Sequence, residues 1–463
     1  MYAVIGRRAR ASFSCAALLF GLCVQACTPS RLGPPPATLT ASAVAIDTPN
    51  ARFFPLIQAD ESRMVDEAVV AAEREMRARH ITDPKKLPPA NYLAISGGGD
   101  NGAFAAGLLV GWTKSGERPE FKMVTGVSTG ALIAPFAFLG PAYDDKLREV
   151  YTTISQKDVF FGRFFTAVFF DDALRDTSPL FRTISRLMDN KMLQGIAREY
   201  RKGRVLLIGT TDLDAGQPCL WNIGAIAASG NPKALDLVRK ILLASSAIPG
   251  AFPPVMIDVK ADGQNYQEMH VDGGAMAQLF LYPSQIGRRV KSTNLSSRER
   301  HAYIIRNARL GSSLSPVERN TLDIASRSIA TMIQVSGLND LFRVYTTTQR
   351  DHVDFNLAFI GDDFVGPPHK EDFDPTYMKA LFDYGYAKGR QGYAWKKVPP
   401  FLEGAQSSVN GKRPTLVPNA QFCVGENSRD QAATLRCPAY GIETRSKNAL
   451  EWSPSEGMNR SSG

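Results

Sequence analysis

The sequence predicts an α/β layered domain, and three observations carry that prediction. Residues 92–96 and 121–125 are short apolar strands, and each runs through a glycine-rich turn into a helix of small, apolar residues. Residues 204–211 (RVLLIGTT) are apolar almost throughout, as a central strand buried on both faces must be. Strands and helical stretches then alternate as far as residue 395, the order of a layered α/β domain.

Composition bounds the rest. A chain of 463 residues with 44% hydrophobic and 21% charged side chains can bury a large core. The net charge is +9, but Arg7, Arg8 and Arg10 lie in a leader without acids, so the remainder carries +6. No basic cluster is interleaved with aromatics, which argues against a nucleic-acid partner. Neither Cys-x-x-Cys nor His-Glu-x-x-His spacing occurs, so no metal or other cofactor is expected. The oligomeric state is left open.

Residues 1–26 are expected to be a signal peptide. Arg7, Arg8 and Arg10 form its basic end, and the apolar run 11–26 is short for a membrane span. Val24-Gln25-Ala26-Cys27 resembles the lipobox of bacterial lipoproteins, with Gln25 departing from the usual pattern. The resemblance implies that Cys27 is lipidated and anchors the protein in the cell envelope, facing the periplasm; Thr28 points to the outer membrane. Residues 27–50, Pro-, Ala- and Thr-rich with hardly any charge, are expected to be an extended tether. Residues 51–90 form an N-terminal helical arm. Its helix is expected from a cap at Asp60 to residue 79, with Val65, Ala68, Val69, Ala72 and Met76 on one face.

The main domain is expected over 91–398. A helix at 143–155 leads to FFGRFFTAVFF, where Phe160, Phe161, Phe164, Phe165, Phe169 and Phe170 are either core or a lipid-entry surface. Residues 175–192 read as one helical stretch. After the strand 204–211, Asp212 to Gly216 make a turn, and a second strand is expected at 220–226. Residues 234–247 are helical, and 268–271 form a strand ending in Asp272-Gly273-Gly274. Strands follow at 303–306 and 356–360, separated by a long helix from a cap at Ser315 to residue 345. The last helix is 377–395. Residues 399–463 form an irregular extension, in which Cys423 and Cys437 are close enough in sequence for a disulfide worth about 3 kcal/mol. Cys219 reads as a lone buried cysteine.

The two glycine-rich turns carry the chemistry. Gly126-Val127-Ser128-Thr129-Gly130 is a G-x-S-x-G elbow, which sets a serine hydroxyl proud of a sheet. Alone it is a weak signal; the strand before it and helix after it strengthen it. Gly97-Gly98-Gly99-Asp100-Asn101-Gly102 offers free N–H groups at a helix N-terminus, where an oxyanion is stabilised. A serine needs a base. Of the five histidines, His80 precedes the core and His301, His352 and His369 follow it, and a Ser–Asp–His triad is formally open to these three. Asp272 stands at a strand end before two glycines, and burial would make its carboxylate a better proton acceptor. His270, two residues earlier, reads as structural.

Four segments in order, Gly97–Gly102, Gly126–Gly130, ASSAIPGAFPPV (244–255) and Asp272-Gly273-Gly274, resemble the patatin-like phospholipases. The resemblance is close from residue 92 to 275 and extends to about 395. It implies a three-layer α/β/α fold with a mostly parallel central sheet and a metal-free Ser128–Asp272 dyad. The glycine loop, with Gly97, Gly98 and Gly99, would form the oxyanion hole. The implied activity is cleavage of fatty-acyl esters of membrane phospholipids or lysophospholipids through an acyl-enzyme. The chain departs from the family at Asn101, where the loop usually carries Arg or Lys. An acyltransferase on the same dyad, a Ser–Asp–His esterase and a non-catalytic lipid-binding protein of the envelope remain the alternatives.

Overall fold

Aliphatic and β-branched runs, bounded by glycine, proline and charged turns, build one large sheet in the computed structural model, which describes residues 31–162, 175–283, 298–311 and 316–402. The strands are β1 (Arg52–Phe53), β2 (Ala90–Ile95), β3 (Phe121–Val127), a separate ribbon of β4 (Phe161–Gly162) and β5 (Arg175–Asp176), β6 (Val205–Asp212), β7 (Gln217–Asn222), β8 (Val255–Ala261), β9 (Gln264–Asp272), β10 (Arg300–Arg306) and β11 (Asp354–Phe359). The sheet order is β1-β7-β6-β3-β2-β10-β11. From β6 to β11 neighbouring strands are parallel. The hairpin β8–β9 is antiparallel and joins β6 through β9.

The helices are α1 (Gln58–Ala78), α2 (Gly102–Ser115), α3 (Thr129–Leu139), α4 (Asp144–Thr153), α5 (Ser178–Leu187), α6 (Asn190–Arg201), α7 (Ile223–Ala228), α8 (Ala234–Ser245), α9 (Thr321–Asp351) and α10 (Pro375–Arg390). They cover both faces, because residues alternate along each strand. Leu93, Ile95, Leu206 and Ile208 face the core formed with α2, α3, α8 and α10. Ala94, Ile304 and Leu357 face Leu341 and Val344 of α9, and Val205 and Leu207 face Met64 and Ala71 of α1. The result is the three-layer α/β/α fold with a mostly parallel sheet. β6 is buried along its whole length, as its apolar run predicts.

Several elements differ from the sequence expectation. Helix α1 starts before Asp60, whose carboxylate instead accepts the Phe54 N–H at 2.8 Å. Its buried stripe includes Glu67 and Glu75, and Glu75 is clamped by Arg298 and Lys122. Burial pushes the Lys122 amine down to about 8, despite Glu75. The 175–192 stretch breaks at Met188 into α5 and α6, with Asp189 capping α6 through the Met192 N–H at 2.8 Å. β7 ends at Asn222, whose side chain caps α7, so the expected strand 220–226 is half helix. β8 escaped the sequence reading; its turn, Asp262-Gly263, has positive φ at both residues and is a strong hairpin signal. The cap of α9 is Asn320, not Ser315, which lies outside the described residues.

The tether expectation also changes. From residue 31 the segment packs on the hairpin: Val44 bridges Lys260, and Ala43 and Ala45 are buried. Arg52 on β1 fastens it. Its guanidinium donates to the Ala43 carbonyl (3.0 Å) and pairs with both carboxylate oxygens of Glu268 on β9. Of the phenylalanine run, Phe160 is buried against Phe252 and Phe373, while Phe164, Phe165, Phe169 and Phe170 lie outside the described residues. Cys219 is buried and free, and Cys27, Cys423 and Cys437 lie outside the described residues. Among the described residues no helix is long and apolar enough to cross a membrane.

The Arg52–Glu268 pair is almost wholly buried, so removing one partner strands the other charge. Arg52→Met should cost about 3–5 kcal/mol in denaturant unfolding. The double variant Arg52→Met/Glu268→Gln should recover most of that loss.

Candidate active site

The site exists because two strands end against each other. β3 runs parallel to β6 and stops with Val127 opposite Gly209. β9 runs antiparallel and stops with Asp272 opposite Thr210. Both lie on the edge of β6 that β7 does not occupy, since β7 pairs with the same β6 residues from the other side. Ser128 follows the end of β3, and Asp272 is the end of β9. Residues 144 apart in sequence are thereby brought face to face.

Ser128 sits at φ +55° and ψ −127°, a strained conformation for a residue with a side chain. The flanking glycines permit the reversal. A Cβ on Gly126 would stand 2.8 Å from the Ala131 nitrogen, and one on Gly130 would stand 2.7 Å from the Ser96 carbonyl oxygen. The Ser128 N–H donates to the Ser245 hydroxyl (3.0 Å), which donates to the Gly209 carbonyl (2.7 Å). Ser245, fully buried at the end of α8, thus ties the elbow to β6. Sequence reasoning noticed the segment that holds Ser245 but gave the residue no role.

Asp272 is buried, and its carboxylate accepts the Gly274 N–H at 2.7 Å. Burial pushes the carboxyl up to about 6, against the opposing effects of the Ser128 side chain and the Gly274 N–H. Its backbone is fixed as well, by the Asp272 N–H to the Ala247 carbonyl (2.8 Å) and the Thr211 hydroxyl to the Asp272 carbonyl (3.1 Å). Gly273 lets the turn close on β6, where a Cβ would stand 2.6 Å from the Gly209 carbonyl oxygen.

The glycine loop follows β2 and opens α2. Here one expected donor is taken: the Gly97 N–H bonds the Gln278 carbonyl at 3.2 Å. The N–H groups of Gly98 and Gly99 make no hydrogen bond among the described residues. Asn307 holds the loop, donating its N–H to the Ser96 hydroxyl and its amide to the Ser96 carbonyl, both at 2.9 Å, and accepting the Ala105 N–H. Gly102 lies against Thr129 and Tyr151 at the start of α2. Asn101 accepts the Tyr377 hydroxyl at 2.7 Å, so the residue that departs from the family ties the loop to α10. Gln278 is a neighbour that sequence reasoning missed: its carboxamide lies between Gly97 and Gly274.

The histidines are engaged elsewhere. His270 is buried, with Nδ1 on the Thr210 hydroxyl (3.0 Å) and Nε2 on Glu268 (3.3 Å). His301 bonds Asp354, His352 caps α9 in a left-handed conformation, and His369 bonds Asp100 (2.6 Å). Asp212, Glu268 and His270 converge within 4.8 Å, as three metal ligands would. Their atoms have other work: Glu268 pairs with Arg52, and Asp212 accepts the N–H groups of Asp214 and Ala215. Burial pushes Asp212 up, whereas for Glu268 the effect of burial is outweighed by Arg52 and His270, which hold it below its usual range.

Ser245→Ala leaves the buried Ser128 N–H without a partner. It should cost about 1–3 kcal/mol of stability by denaturant unfolding and slow labelling of Ser128 by a fluorophosphonate probe.

Residues 93–282, which include both turns, Ser128 and Asp272, match the sequence model of the patatin-like phospholipase family. Among solved structures, VipD from Legionella pneumophila is similar at 11% identity with a TM-score of 0.32, over 66% of this chain and 66% of that one. Human GIVD cytosolic phospholipase A2 is similar at 10% identity with a TM-score of 0.25, over 61% of this chain and 51% of the enzyme. None of the curated proteins matches. Residues 93–282 thus carry a patatin-like phospholipase domain.

Proposed function

We propose that this protein is a serine acyl hydrolase of the phospholipase A or lysophospholipase type, acting through Ser128 and Asp272. The observation that carries this reading is the meeting of the strand ends that bear Ser128 and Asp272, a buried carboxylate whose pKa is raised to about 6. Such a carboxylate is ionised at neutral pH, yet accepts a proton more readily than an exposed one.

Ser128 Oγ attacks the ester carbonyl while its proton passes to Asp272. The N–H groups of Gly98 and Gly99 receive the charge that develops on the carbonyl oxygen. The tetrahedral adduct collapses to an acyl-serine, and the leaving alkoxide takes the proton from Asp272. Water then attacks the acyl-serine, giving a proton to the same carboxylate. The fatty acid leaves, and the proton returns to Ser128. No histidine is needed in this scheme, because the Asp272 carboxylate takes the proton directly. The lipobox-like Val24–Cys27 supports an N-terminal lipid anchor in the envelope, facing the periplasm and on the outer membrane; mass spectrometry of the mature N-terminus, with Cys27→Ser as control, tests it.

Ser128→Ala should abolish release of fatty acid from mixed bacterial phospholipids and lysophospholipids, read by mass spectrometry, while the protein still folds. Turnover in that variant at the wild-type rate excludes the mechanism. Transfer of the acyl chain to added lysolipid in place of water identifies an acyltransferase.

The base must be ionised to act, so kcat/KM should rise with pH through about 6 and level off above it. Stability moves the other way. The unfolded chain loses this proton near pH 4, as an ordinary aspartate does. The folded chain keeps it to about 6. The group therefore favours the fold at low pH, and that contribution is lost as pH rises through the interval. Asp272→Asn should be inactive yet unfold at a higher temperature than wild type at pH 8, a difference that vanishes below about pH 4.

A further inference from the structure

Arg306 ends β10 on the face of the sheet that α9 covers, beside the glycine loop that Asn307 holds. It is 3% exposed. A guanidinium carries five N–H donors and stays charged in proteins. Among the described residues this one makes a single hydrogen bond, from Nη2 to the Gln334 carbonyl at a long 3.4 Å. Its Nε is buried with no partner among them. No described carboxylate forms an ion pair with it. Asp340, one turn along α9 from Gly337, is already committed to the Gln278 and Leu279 N–H groups and to Arg343. Buried cations are normally paired, and one that is not has a missing partner to explain.

Its position says where the partner enters. Nη1 stands 2.6 Å from the point a Cβ on Gly337 would occupy, and the Gln278 Cβ stands 3.3 Å from that point. The carboxamide of the same Gln278 lies against Gly97 and Gly274, and the Ser128 Cβ stands 3.2 Å from where a Cβ on Gly97 would be. One glutamine side chain therefore separates Arg306 from the nucleophile. Ser128 and Asp272 are nearly as enclosed, at 7% and 4% exposure.

We propose that Arg306, reached past Gln278, is the anion subsite of the active site and binds the phosphodiester of the acyl-ester substrate. The planar fork of a guanidinium matches two phosphate oxygens, and an anion there supplies the hydrogen-bond partner that Arg306 lacks among the described residues, where Asp340 acts on it only through space. In a glycerophospholipid the phosphate is only a few covalent bonds from the ester carbon, so a lipid poised on Ser128 carries its phosphate into this region. The subsite rests on the acyl-hydrolase reading and makes it selective for phospholipids over neutral glycerides.

The test compares kcat/KM on phosphatidylcholine and on diacylglycerol with the same acyl chains, both in mixed micelles, for the full chain. Arg306→Met should lower the phosphatidylcholine-to-diacylglycerol ratio by about ten- to a hundredfold, the range of a charge-assisted hydrogen bond. Arg306→Lys should fall between Met and wild type. A folded Arg306→Met whose ratio stays within about twofold of wild type overturns the subsite. So does an equal loss on both lipids, which marks a structural residue. Should Arg306→Met fail to fold, the wild type still decides: glycerophosphocholine should compete with diacylglycerol where glycerol does not, and equal inhibition by the two overturns the proposal. A wild type that hydrolyses neither lipid overturns the hydrolase reading itself, which separates the two failures.

Discussion

The end-to-end meeting of β3 and β9 on one edge of β6 is the constraint on which the site depends. Pairing of Val127 with Gly209 and of Asp272 with Thr210 leaves no residue of β6 between the two strand ends. A slip of one residue in either register would send Ser128 or Asp272 to the opposite face of the sheet. The buried contacts around the junction serve to prevent that slip. Ser245 ties the elbow to Gly209, Thr211 holds the Asp272 carbonyl, and Gly273 lets the turn sit directly on β6.

Behind the junction lies a buried charge network that acts on the same strand. Glu268 and His270 precede Asp272 on β9, bonded to Arg52 and to Thr210. Trp221 of β7 donates to the same Thr210 hydroxyl at 2.9 Å. The edge strand β1, the segment before it and the hairpin β8–β9 are thus fastened to β6 by polar bonds that tolerate few alternative registers. Removing charges from water is costly, and the return is positional: β9 has one place to end.

The site stores unfavourable terms of its own. Ser128 is held at positive φ, Asp272 is a carboxyl pushed up by burial, and two backbone N–H groups of the glycine loop find no hydrogen-bond partner among the described residues. Each would relax in a less constrained chain. They persist because α2, packed between the sheet and α10, and β6, buried on both faces, over-determine the backbone around them.

Much of this was legible in the sequence. The strands that became β2, β3 and β6 announce themselves as short apolar runs, and the glycines of both turns mark reversals that only glycine permits. Ser128 and Asp272 could be named because each sits in a local pattern of strand and glycine. What local pattern cannot carry is a partner distant in sequence. The buried stripe of α1 keeps the expected Val65 and Ala72 but also takes in Glu67, bonded by Arg74 and by Tyr200 of α6, and Glu75, clamped by Arg298 and Lys122, which periodicity alone does not foresee. Likewise the 31–50 segment has the composition of a tether, yet it packs because Arg52 and Glu268 meet across the fold. Gln278 and Arg306 stand in no motif, and Ser245 stands in one that gave it no role; their importance appears only when three elements converge. By itself the sequence determined which residues can do the chemistry, because turn geometry and strand burial are local consequences of residue type. Only the tertiary structure decided which of them meet, and which N–H groups and which cation find no hydrogen-bond partner among the described residues, because those depend on strand register and burial.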